Sequence, residues 1–238
     1  MDHCQQGSLP TRIIDWAAGR ASNNAMLTDV LLILAGYLVG SIATAVITCR
    51  LMGLPDPRTV GSGNPGATNV LREGGRRAAI MTLAGDVLKG LVPVLVATAL
   101  ATGPLVPALV AFATFLGHLY PVFFGFRGGK GVATAFGAML GLSWPLALAV
   151  LATWLVMAFA FRYSSLSALC GAVLAPAYAY ALDLSAGELT VVAVMSLLLL
   201  WRHRSNFRNL LAGRENKIGA PKSPPGQGEG QALDGAGN

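Results

Sequence analysis

Apolar runs that exclude charge, separated by short stretches of Gly, Pro and Arg, dominate this 238-residue chain and restrict what it can fold into. The pattern is that of several spanning helices, and none of the runs shows the alternation of a β-barrel strand. Only 12% of the residues are charged and 54% are hydrophobic. A soluble domain carries roughly 25% charged residues, so the chain lacks the surface to stay in water. The expected class is an all-α integral membrane protein.

Seven spans are expected: Leu27–Thr48, Ala78–Ala101, Leu105–Phe124, Val132–Leu142, Pro145–Ala160, Ser165–Leu182 and Glu188–Trp201. The fourth and fifth arise from one thirty-residue apolar stretch, 132–161. As a single helix it would be about 45 Å long, against a hydrocarbon core of about 30 Å. Ser143-Trp144-Pro145 is its natural break.

Charge supports that count. Seven spans place loop 49–78, loop 125–131, loop 161–164 and the tail after 201 on one side, and these hold Arg50, Arg58, Arg72, Arg76, Arg77, Arg127, Lys130, Arg162 and the basic residues of the tail. The three opposite connections hold none. By the positive-inside rule the N-terminus lies outside and the C-terminus is cytoplasmic.

Residues 1–26 are polar, lack the apolar core of a signal peptide, and are expected to be a mobile extension preceding a membrane domain at 27–218. Residues 219–238, rich in Pro, Gly and Gln, are expected to be a disordered tail. Cys4, Cys49 and Cys170 are scattered and suggest neither disulfide nor metal site. The net charge of +6 sits in loops rather than along a helix face, which argues against nucleic acid.

Three polar clusters lie on the inferred cytoplasmic side. GSGNPGATNVLR at 61–72 combines glycines with Ser62, Asn64, Thr68 and Asn69 and ends in Arg72, an arrangement suited to an anion such as phosphate. Its GxGxxG spacing is no dinucleotide fingerprint, because a membrane helix precedes it instead of a strand. GHLYPVFFGFRGGKGVAT at 117–134 sets Arg127 and Lys130 among Gly128, Gly129 and Gly131 just before a short helix, whose free N–H groups suit an anion. It is not a Walker A loop, since Phe124 and Gly131 occupy two of its required positions. His118 reads as a packed, hydrogen-bonded histidine, and Phe123 stands where an HxxxxD box needs Asp.

RHRSNFRNLLAGRENKIG at 202–219 brings His203, Asn206 and Glu215 to the end of the last span, and neither His203 nor Asn206 serves topology. Arg202, Arg204 and Arg208 fit a basic stop-transfer tail. Asp86 and Lys89, inside the second span at i,i+3, either pair with each other or face an internal cavity. Arg162 and Ser165 supply a further polar wall.

Together these clusters resemble the three motifs of the acyl-phosphate:glycerol-3-phosphate acyltransferase family, the PlsY type, over roughly residues 27–218. The resemblance implies transfer of an acyl group from acyl phosphate to the sn-1 hydroxyl of glycerol 3-phosphate at the cytoplasmic side of a bacterial inner membrane, with no cofactor or metal. Membrane lipid and the two substrates are the partners. It implies catalytic contacts for Ser62, Arg72, Lys130, His203 and Asn206. It implies substrate binding for Gly63, Asn64, Gly66, Thr68, Asn69, Arg127, Gly128, Gly129, Gly131, Ser165 and Glu215, with Arg127 standing where lysine is common. The proton of the attacking hydroxyl falls either to His203 or to a substrate phosphate. The rival readings are an anion transporter, which would need ligands on both faces, and a metal-dependent CDP-alcohol phosphotransferase, for which Asp56 and Asp86 are too isolated.

Overall fold

The computed structural model describes residues 11–219, with side chains from residue 22. The first ten residues and the expected disordered tail from 220 lie outside the described residues, Cys4 among them. Nine α-helices occur among the described residues: α1 (Thr11–Gly40), α2 (Thr44–Leu51), α3 (Ala67–Leu100), α4 (Val106–Leu119), α5 (Val132–Leu142), α6 (Trp144–Phe161), α7 (Ser164–Ala181), α8 (Ala186–Arg202) and α9 (Arg204–Leu211), with a 3₁₀ turn at Val122–Phe124. No strand occurs among them.

Five segments are long and apolar enough to cross a bilayer, namely α1, α3, α6, α7 and α4 continued through the 3₁₀ turn to Phe124, and a sixth span results if α8 and α9, bent by 55°, are taken together. The break expected at Pro145 is present. α5 stops at Leu142, and Ser143 caps α6 by accepting a hydrogen bond from the Leu146 N–H.

Three boundaries differ from the sequence expectation. Helix α1 begins at Thr11, so residues 11–26 continue the first helix. The span expected over Leu27–Thr48 is interrupted at Ser41–Ala43, and buried charge holds the interruption. Lys89 Nζ donates to the Ile42 carbonyl at 2.8 Å, and Thr44 Oγ1 donates to Asp86. Lys89 and Asp86 are themselves paired at 2.8 Å. The chain leaves helical geometry where a carbonyl inside the apolar layer finds a cation, which offsets the unmet backbone bond. Finally, the loop expected to run to Arg77 ends at Gly66. α3 starts at Ala67 and bends at Gly75, whose φ of 84° is open to glycine.

Helix α3 packs on α5, α1 on α4, and α6 on α7. The α3–α5 crossing is made by Gly90 and Gly137. A Cβ on Gly90 would lie 2.2 Å from the Thr134 carbonyl oxygen, and one on Gly137 would lie 2.1 Å from that of Val87. Small residues let the two backbones touch, as is common where no water drives helices together. This contact fixes the depth of the α5 N-terminus beside α3. The core beneath it contains Phe115, Leu119, Leu146, Val192 and Met195, all fully buried. Only 11% of the apolar window of α6 is buried, so this helix faces lipid.

Candidate active site

Helix α5 is capped at its N-terminus by Gly131, whose φ of 86° favours glycine and whose Cβ would strike the Phe115 ring at 2.3 Å. That turn delivers Lys130 to the polar end of a cavity of about 350 Å³. Lys130 Nζ donates to Asn206 Oδ1, and Asn206 Nδ2 donates in turn to Glu215 Oε1 at 2.8 Å. Ser165 Oγ donates to the same Glu215 oxygen at 2.7 Å. Across the opening, Arg72 donates to the Asn216 carbonyl at 3.2 Å, and the hydroxyls of Thr68 and Ser164 are 3.3 Å apart. Residues from α3, α7, α9 and the segments before α5 and after α9 thus meet at one place.

Burial lowers the pKa of the Lys130 ammonium, with Arg202 and Arg72 adding to the shift and the Glu215 carboxylate opposing it. Arriving phosphate would reverse that shift, because an anion favours the charged form. His203 sits at the hinge between α8 and α9 and is 3% exposed. Its Nδ1 is 2.9 Å from the Leu199 carbonyl, which can only accept, so Nδ1 carries the proton and Nε2 is the acceptor nitrogen. Burial pushes its pKa down to about 4.

All five residues expected to be catalytic, Ser62, Arg72, Lys130, His203 and Asn206, line this cavity. So do Asn64, Gly66, Thr68, Asn69, Gly131, Ser165 and Glu215. Asn69 spends its amide on the loop. Its Oδ1 accepts from the Ser62 N–H at 3.0 Å, and its Nδ2 donates to the carbonyls of Pro57 and Val60 at 2.9 and 3.1 Å.

Gly63, Arg127, Gly128 and Gly129 do not line the cavity. Arg127 is exposed. Gly128 and Gly129 instead seat the loop on the end of α4, where a Cβ would lie 2.0 Å from the His118 carbonyl oxygen or 2.3 Å from its Nε2.

Arg202 holds that loop from the other side, donating to the carbonyls of Gly128 and Gly129, each at 2.9 Å. Its place in a basic run hid this task in the sequence. His118 is packed and hydrogen-bonded as expected, with Nδ1 3.1 Å from Thr134 Oγ1 and 3.4 Å from Asp86. Asp86 and His118 also reach the cavity wall, so the buried charge pair both braces α1–α2 and borders the site. Among the described residues no three His, Cys, Asp or Glu side chains are grouped to hold a metal ion.

Away from its polar end the cavity becomes apolar. Leu83 and Val87 of α3, Phe136 and Met139 of α5, Leu151 and Trp154 of α6, and Ala168 and Ala172 of α7 form the walls. A ligand that fits has a phosphate-like head and a hydrocarbon body.

Fold and site together define a helical membrane protein with an anion pocket joined to an apolar cleft. The sequence model of the glycerol-3-phosphate acyltransferase family matches residues 30–213, and the chain belongs to that family. It is 58% identical to a glycerol-3-phosphate acyltransferase of Thioalkalivibrio sulfidiphilus over 82% of this chain and 96% of the relative. Identity to the Methylococcus capsulatus protein of the same name is 56%, over 83% of this chain and the full relative. Among solved structures, PlsY, an integral membrane glycerol 3-phosphate acyltransferase, superposes in its glycerol 3-phosphate form with a TM-score of 0.77 at 38% identity, covering 80% of this chain and 96% of that one. Its lysophosphatidic acid form gives 0.74 at 36% identity, covering 80% and 95%.

Proposed function

We propose that this chain transfers an acyl group from acyl phosphate to the sn-1 hydroxyl of glycerol 3-phosphate, giving 1-acyl-glycerol 3-phosphate and inorganic phosphate. The observation that carries the reading is the single cavity in which Lys130, Arg72 and the amide donors occupy one end and apolar walls the other. Both substrates bear phosphate and one bears a fatty chain, so head and body have separate places. Membership of the family supports the same chemistry.

In this reading the short α5 is a seventh span beside the five long helices and α8. The N-terminus is outside and the site faces the cytoplasm of a bacterial inner membrane, as the segregation of arginines indicates. The fatty chain enters from lipid through the apolar walls.

The reaction needs no covalent enzyme intermediate, because acyl phosphate is already an activated anhydride. Lys130 and Arg72 neutralise the phosphates and hold the sn-1 oxygen against the carbonyl carbon. As the new carbon–oxygen bond forms, negative charge grows on the carbonyl oxygen, and fixed donors at the α5 N-terminus and the 61–66 loop stabilise it. Collapse breaks the bond to the phosphate oxygen and releases inorganic phosphate. The hydroxyl proton passes to a phosphate oxygen, whose second pKa is about 6, in preference to His203 at about 4. His203 then holds a neutral donor–acceptor ring against the substrate.

The test is stoichiometry with purified protein. One inorganic phosphate should appear for each lysophosphatidate formed. Phosphate release without acylated product would sink the reading.

A further inference from the structure

Helix α9 presents an outer face that the acyltransfer site does not use. At about 100° per residue, Phe207, Leu211, Arg204 and Arg208 fall in one stripe about 100° wide, while Asn206 lies about 150° from its middle. Asn206 turns inward to Lys130 and Glu215. Phe207 and Leu211 are 52% and 76% exposed, and both arginines are exposed. Among the described residues neither guanidinium is paired with a carboxylate.

The position of this face identifies what covers it. α8 is a membrane helix, and α9 begins two residues after its end with a bend of 55°, which turns it away from the α8 axis. Trp201, 49% exposed at that junction, lies where interfacial aromatics anchor spans. The Arg204 guanidinium stacks over the Trp201 ring at 4.4 Å and donates to the Trp201 carbonyl at 3.2 Å, so its charge is held at the level of the junction. An apolar edge beside a basic edge, next to a spanning helix, is the pattern of an amphipathic helix lying in the headgroup layer.

We propose that the outer face of α9 docks on anionic lipid headgroups of the leaflet in which α8 ends. Phe207 and Leu211 enter the acyl boundary, while Arg204 and Arg208 contact lipid phosphate from their snorkelling stems. Because the opposite face carries Asn206, the same docking holds that side chain toward Lys130. The inference rests on α8 spanning the bilayer and is independent of which acyl donor is used.

The test reads lipid contact directly. Leu211→Cys, in full-length protein with Cys4, Cys49 and Cys170 changed to Ala, carries a fluorophore in vesicles of phosphatidylglycerol and phosphatidylcholine, of which one or the other is brominated. Brominated phosphatidylglycerol should quench the label more strongly, with each arginine contributing about fivefold to local enrichment of anionic lipid. High salt should erase that preference, as should R204Q/R208Q. A label at Asp183→Cys, at the far end of α7, should show none. Absence of quenching at position 211, equal quenching by both lipids, or a preference that survives R204Q/R208Q would each overturn the proposal. Acyl transfer measured in the same vesicles keeps a failure of the donor assignment separate from a failure of lipid docking.

Discussion

Lys130 concentrates the electrostatics of the site, because glycines on both sides leave its ammonium held by Asn206 and beside a helix N-terminus. A charge-assisted hydrogen bond to a buried anion is worth about 1.5–3 kcal/mol, so Lys130→Ala should lower kcat/KM for glycerol 3-phosphate by about 10- to 150-fold. Arg127→Ala, three residues earlier but exposed and off the cavity, should stay within about twofold, as surface substitutions do. Steady-state assays of the two purified variants separate the roles, and equal losses would contradict the geometry. The pH profile adds an independent check. His203 titrates at about 4 in the free site, so it stays uncharged between about pH 6 and pH 8, where the second ionisation of phosphate falls. The acidic limb of kcat/KM, which reports free enzyme and free substrate, should therefore coincide for wild type and His203→Asn. A limb that moves by about one pH unit in the variant would make His203 the titrating group.

At the scale of elements, the α3–α5 crossing decides whether the site assembles. Gly137→Ala puts a methyl group 2.1 Å from the Val87 carbonyl oxygen and should cost about 1–3 kcal/mol as overpacking. Gly171→Ala meets Val150 at an ordinary 3.4 Å and should be neutral or gain up to about 1 kcal/mol of helix propensity. Thermal unfolding in detergent should thus lower the midpoint for the first and not for the second; shifts of the same sign would refute the crossing. The ends of α5, α6, α7 and α8 were legible in the sequence to within about two residues, because Pro145, Gly131 and the turn residues punctuate apolar runs. The interruption at Ser41–Ala43 was not legible. Nothing local breaks the helix there; its cause is Lys89 and Asp86, more than forty residues away. The early start of α3 was hidden because Asn69, Arg72 and Glu73 look like loop, although the helix they form carries Arg72 to the cavity. Lys130, His203 and Asn206 were found by motif, whereas the bracing tasks of Arg202 and Asn69 exist only once distant segments meet.

The whole molecule joins two solvents at one cavity. Its polar end gathers cations and amides from α3, α9 and the segments before α3 and α5, and its apolar end is walled by α3, α5, α6 and α7. The eleven-residue α5 sets its N-terminus, with Lys130 and Gly131 just before it, at the polar end of the cavity, while Phe136 and Met139 further along it line the apolar walls. This division also suits a donor whose activated bond lies next to a compact phosphate. The most direct measurement is kcat/KM for acyl transfer to glycerol 3-phosphate by the purified protein, with acyl phosphate and acyl-CoA of the same chain length as alternative donors. The account predicts efficient turnover with acyl phosphate and background rates with the thioester; comparable values for the two donors would contradict it.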